Sequence, residues 1–273
     1  STKDLKTENF AQQLGSMELL GEVVTLGSRS GSTHKYVDVL TALAEANLDT
    51  KVARAFLPSQ AFGRACRKLA DERVIDILSN EKDFITFQFS TRHLVTNESE
   101  GEDEIEYRKE TKVILTKETG EIYCKDEAIK QQAQSELERC MEERTTTDIT
   151  RIVMSLFDKN ADLMPIPGAT GVYYVPKEHG LFVLQITSFL ERLGRKPFSF
   201  PIPAGTNIGD RSVQDTVEEY LQGILDEHSK AVAGFTLSSR PETIEATKEK
   251  INGTRIKIEA YANYLGDKAD ELR

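Results

Sequence analysis

Phe84-Ile85-Thr86-Phe87-Gln88-Phe89 alternates apolar and polar residues with period two, which predicts a strand with Ile85, Phe87 and Phe89 on one face and Thr86 and Gln88 on the other. A second strand is predicted from Ile105 to Thr116, where period two puts Glu106, Arg108, Glu110 and Lys112 opposite Tyr107, Val113 and Leu115. Lys117-Glu118-Thr119-Gly120 reads as a turn, and Glu121–Cys124 as a short return strand. Residues 74–124 therefore form a small antiparallel sheet, expected to pack on two helices that precede it. The first of these covers Lys35–Leu48, with Val37, Leu40, Leu43 and Ala44 at three- and four-residue spacing, and the second runs from an N-cap at Ser59 to about Glu72.

Downstream, Lys125–Glu143 is helical in pattern but polar on most sides, as a bridge between modules would be. Thr147 is placed to cap a helix whose apolar side is Ile149, Ile152, Val153, Leu156 and Phe157. A Pro/Gly-marked turn, a strand over Val172–Val175 and a helix from Leu181 to Leu193 ending at Gly194 follow. Phe198–Gly209 reads as a punctuated linker, and Ser212 as the cap of a helix reaching about Val232. Ser239-Arg240-Pro241-Glu242 has the pattern of a capping box. From there Ile244, Ile251, Ile258, Leu265 and Leu272 recur at intervals of seven, a seam that fits either an antiparallel hairpin with Val213–Val232 or pairing between chains.

The fold class is thus α+β: helix-plus-antiparallel-hairpin (winged-helix-like) modules followed by a C-terminal helical hairpin. The expected division is 1–124 for the helix-plus-hairpin domain, 125–197 for the bridging helix and a middle helix-wing domain, 198–211 for a linker and 212–273 for the helical hairpin.

The chain has 273 residues, enough for one large core or two modest ones, and its 38% apolar and 29% charged residues fit a globular protein. No apolar run approaches the roughly 18 residues of a membrane span. Ser1–Phe10 lacks the basic-then-apolar order of a secretory signal, and Cys66, Cys124 and Cys140 are scattered, which together predict a reducing, cytoplasmic setting. A formal charge of −10 argues against coating DNA by bulk electrostatics. Locally the balance reverses: Lys51, Arg54, Arg64, Arg67, Lys68 and Arg73 fall within 51–73 against only Asp71 and Glu72. The opposite extreme is Glu98–Glu106, with six acidic side chains in nine positions, the composition of an exposed loop that could also attract a basic partner.

Motifs for covalent chemistry are lacking. Gly27 and Gly31 are separated by three residues where a phosphate-binding loop needs four, and no lysine follows in place. His34, His93, His179 and His228 are far apart, no Cys-x-x-Cys exists, and there is no Gly-x-Ser-x-Gly elbow, so no cofactor or metal is implied. One nuclease-like pattern stands out: Asp83 heads the first strand, and Glu110-Thr111-Lys112 lies on its neighbour. That order resembles the core of restriction-type nucleases, where carboxylates hold a divalent ion and a lysine assists the attacking water.

The preferred reading is a non-enzymatic interaction or regulatory protein. In a helix-turn-helix arrangement the basic second helix would meet DNA or RNA through Arg64, Arg67 and Lys68, with Arg54 and Arg73 on either side of it as further nucleic-acid-binding residues. The C-terminal seam at Ile244, Ile251, Ile258 and Leu265 would assemble a homo-oligomer, and a protein partner is expected in any case. A metal-dependent nuclease using Asp83, Glu110 and Lys112, and a scaffold or inhibitor working through the acidic loop, are the alternatives. Gly171-Val172-Tyr173-Tyr174-Val175-Pro176 resembles a Gly-Val-Tyr-Phe-Val-Pro element in an uncharacterised family of bacterial and phage proteins, over about Thr147–Leu193. The resemblance implies a prokaryotic or viral origin and no particular activity.

Overall fold

A computed structural model describes residues 18–26, 32–70, 73–96, 103–236, 238–266 and 268–272. Most of the Gly27–Thr33 turn and of the acidic run lies outside these residues. The chain is α+β with antiparallel sheets, and it divides into two compact units, one of residues 30–44 and 49–149, the other of 1–29, 45–48 and 150–273.

The first unit holds β2 (Thr33–Lys35), α1 (Tyr36–Glu45), α2 (Pro58–Lys68), β3 (Arg73–Asn80), β4 (Phe84–Thr96), β5 (Asp103–Thr116), β6 (Ile122–Cys124), α3 (Glu127–Glu142) and β7 (Glu143–Thr145). Strands β3-β4-β5-β6 form one antiparallel sheet in that order, and β2 pairs with β7. Ile85, Phe87 and Phe89 face the core with Val113 and Leu115, as the alternation requires, and Phe62 of α2 meets Phe87 edge-to-face at 5.3 Å.

The helices on this sheet differ from expectation. The core cluster takes α2 and α3, one before and one after the sheet, and it does not include α1. Lys125–Glu143 is therefore no bridge: Ile129, Ala133, Leu137 and Cys140 are buried at steps of four, four and three. So narrow a stripe is easily lost among polar neighbours. Pro58, not a residue after Ser59, opens α2, and Gln60 Oε1 accepts from the Leu57 amide.

The second unit carries β1 (Leu19–Thr25), most of α4 (Thr146–Asn160), β8 (Met164–Pro165), β9 (Val172–Pro176), α5 (Gly180–Arg192), β10 (Phe198–Pro203), α6 (Asn207–Ala233), α7 (Pro241–Ala260), α8 (Ala262–Leu265) and α9 (Lys268–Leu272). Its sheet runs β10-β1-β9-β8. Phe198–Pro203 is thus a strand paired along β1 and not a linker, because backbone pairing at a sheet edge tolerates proline. That pairing ties the first strand to the last and overrides the expected boundaries at 124 and 197. Gly21 is needed where β1 crosses β9, since a Cβ there would lie 2.3 Å from the Val175 carbonyl. Tyr174 is buried and Tyr173 half-buried, on opposite faces of β9.

The C-terminal helices do fold back as an antiparallel hairpin: Gln214 reaches the Leu265 carbonyl while His228 meets Thr254 farther along. Thr206, not Ser212, caps α6 through the Gly209 amide, and Arg240 precedes Pro241 at α7 without a side-chain cap. The seam breaks at Tyr261 and at Gly266, whose φ is +58°.

Candidate functional site

Cations of the predicted recognition helix are largely engaged within the fold. Arg64 donates from Nη1 and Nη2 to both Asp148 carboxylate oxygens at 2.7 Å, a planar two-point pair. Burial alone would raise Asp148, but the bonds from Arg64 and from the Thr145 amide and hydroxyl outweigh it and hold the carboxyl below its usual range. Asp148 also closes the start of α4, whose N-terminal hydroxyl is Thr145 rather than Thr147. Beside it the guanidinium of Arg144 lies 4.3 Å from the Tyr36 ring centroid and 3.9 Å from that of Phe56, with Arg64 at 4.5 Å on Phe56. Arg144 is 1% exposed and donates to the carbonyls of Met141, Glu143 and Arg54, so it acts as a stacked clamp on the chain.

The remaining predicted contacts scatter. Lys68 lies 3.6 Å from Glu136, Arg73 pairs with Glu110 at 2.8 and 3.3 Å, and the Arg54 and Arg67 side chains are exposed. The nuclease-like triad does not come together. Phe84 is opposite Thr116, so Asp83 lies six to seven residues along the ladder from Glu110, about 20 Å at roughly 3.3 Å per residue. Among the described residues no three His, Cys, Asp or Glu side chains converge as a metal would require. Burial pushes the Cys66 thiol up to about 12 and raises Cys140 as well, which keeps both protonated at neutral pH.

A groove forms instead where β6 ends. β6 covers only Val113–Leu115 of β5, leaving the earlier part of β5 beside the start of α3. The cavity there, about 920 Å³, is walled by Lys109, Lys112 and Ile114 of β5, Tyr123 of β6, Lys125, and Lys130 of α3. A bulge shapes it. Phe89 faces Thr111 while Ser90 faces Lys109, so Glu110 is an extra residue in β5. Strict alternation would send Lys109 to the face opposite Lys112; the bulge brings both to the groove. Gln88, 5% exposed, fixes this point by donating to the Phe89 and Thr111 carbonyls at 2.8 and 3.0 Å.

Two acids share the wall with these lysines. Glu110 pairs with Arg73, and Asp126 caps α3 through the Ile129 amide at 3.0 Å. Lys130 has Glu127 at 3.5 Å on its own helix. Lys109, Lys112 and Lys125 have no ion pair among the described residues. The groove thus presents four lysines against the two carboxylates of Glu110 and Asp126, on a wall that includes an exposed aromatic ring. Sequence reasoning marked Glu110 and Lys112 for a different chemistry and passed over Lys109, Tyr123, Lys125 and Lys130. The available signal was the switch from an acidic run at 98–106 to lysines at 109, 112, 117, 125 and 130.

Of the oligomerisation residues, Ile258 and Leu265 are 3% and 0% exposed and pack inside their own chain against Val213, Val217 and Leu221. Ile251, at 36%, is exposed and Ile244 half-buried.

These features describe an α+β protein with an open cationic cleft at the rim of an antiparallel sheet. The chain belongs to a family of unknown function, DUF6744, whose model matches residues 19–273. No curated protein and no solved structure matches it. Among the described residues no helix is long and apolar enough to cross a membrane.

Proposed function

We propose that the protein is a non-enzymatic interaction protein that engages nucleic acid, with the β5–β6–α3 groove as its contact surface in place of the α2 helix. The observation that carries this reading is the set of Lys109, Lys112 and Lys125, which line one cavity and have no ion pair among the described residues. A phosphate backbone supplies anionic oxygens in series, and each ammonium that meets one releases counterions. The helix competes poorly for that role because its Arg64 and Lys68 already face Asp148 and Glu136, as Arg73 of β3 faces Glu110.

Fluorescence anisotropy of a labelled oligonucleotide, titrated between about 50 and 200 mM salt, tests the assignment. Replacing Lys109, Lys112 and Lys125 by alanine should flatten the dependence of log affinity on log salt by about 2 to 3, at 0.7–0.9 for each lost contact. Replacing Arg67 and Lys68 should leave that slope nearly unchanged. A slope that responds to the α2 pair and ignores the three lysines overturns the proposal, as does the absence of binding at the lowest salt.

A further inference from the structure

We infer that the occupant of the groove is a single strand, with a base resting on Tyr123 and Ile114 while Lys112 and Lys125 meet its phosphates. This rests on the groove binding nucleic acid at all. Tyr123 is 55% exposed, and it is Ile122 beside it that enters the core of the sheet at 3%. The ring is therefore not needed to bury β6. Ile114 stands directly opposite Tyr123 in the β5–β6 ladder, so the two side chains share a face about 5 Å apart and make one apolar pad. The Tyr123 hydroxyl donates to Glu121 Oε2 at 3.2 Å, which restricts how the ring turns.

Two cations stand together at one end of the pad. Lys112 is two residues before Ile114, about 7 Å along β5 from the pad, and Lys125 follows β6 in the bend at that same end of the antiparallel ladder. A duplex hides the faces of its bases and can offer this site only phosphates. A single strand offers both phosphate and π-face, the combination used by sequence-tolerant single-strand surfaces.

The discriminating experiment compares a labelled oligothymidylate with a fully paired hairpin on the wild-type chain and on Tyr123→Ala. The single strand should bind at least about tenfold more tightly than the hairpin. Loss of the ring should weaken single-strand binding by roughly 5- to 150-fold, the range for one stacked base, with the salt slope unchanged. Hairpin binding should not respond. Because the chain has no tryptophan, Tyr123→Trp adds one emitter, and its fluorescence should be quenched by the single strand alone. Equal affinity for both probes with no effect of Tyr123→Ala overturns the single-strand assignment while leaving the cationic groove in place. Failure of both probes to bind at low salt removes the groove reading together with this one.

Discussion

Asp148 accepts from Arg64 twice and from Thr145 twice, which leaves little unmet demand on a carboxylate that is 5% exposed. Asp162 in the second unit is built alike, with Lys257, Tyr220 and Tyr261 donating to it, and its pKa too is held down against burial. A carboxyl whose folded-state pKa is lowered contributes stability above its unfolded pKa, about 3.9, and that contribution fades as pH falls through the folded value. Both groups should therefore support the acid limb of the stability curve. Asp148→Asn should cost about 2 kcal/mol at neutral pH, below the range for breaking a fully buried pair because Arg64 is 30% exposed. Urea unfolding from pH 7 down to 3 measures it, and the variant should show a shallower loss below about pH 5. An acid limb identical to wild type would exclude Asp148 from that balance. None of this pairing was legible in the sequence. Arg64 and Asp148 stand 84 positions apart, and an arginine among other basic residues looks like a surface cation until the fold supplies its partner. The same holds for Arg73 and Glu110, read from the sequence as a nucleic-acid contact and a metal ligand, which neutralise each other.

Elements with strong period were readable, and elements whose geometry depends on a partner were not. The core residues of β4, the buried side of α4 from Ile149 to Phe157 and the Gly194 terminus of α5 follow directly from spacing and turn chemistry. The Pro-rich strand Phe198–Pro203 was hidden, because its order comes from pairing with β1, about 175 residues earlier in the chain, and not from its own propensity. The bulge in β5 was hidden for a related reason. A one-residue slip in the ladder changes which side chains share a face, and alternation counted along the strand cannot register it. This gives the bulge a direct test. Deleting Glu110 should restore regular pairing and turn Lys109 away from the groove, reducing the salt slope of oligonucleotide binding by about 0.7 to 0.9. Glu110→Ala keeps the residue count and should leave the slope at least as steep, since it removes a carboxylate from the groove wall. Equal slopes for the two variants would mean that the bulge does not aim Lys109.

For the whole molecule, a charge of −10 and a cationic groove are compatible because screening limits surface electrostatics to about 8–10 Å at physiological salt. A ligand seated in the groove experiences the nearby lysines more strongly than the distant excess of acid. The same separation of local from global applies to assembly. A heptad seam identifies residues that seek an apolar partner without saying whether the partner lies in the same chain. Here Ile258 and Leu265 find it in Val213, Val217 and Leu221 of α6, and Tyr174 of the sheet closes the same cluster. Leu265→Ala should accordingly cost about 2–5 kcal/mol, as expected for a fully buried leucine. An intrachain seam and an interchain seam respond differently to dilution, because only the second gains stability by mass action. Thermal unfolding of the wild-type chain and of Leu265→Ala, each followed across a wide range of protein concentration, should give a lowered Tm for the variant and a Tm for each that does not move with concentration. A Tm that climbs with concentration in the wild type and loses that climb in Leu265→Ala would place Leu265 between chains, against its burial within one.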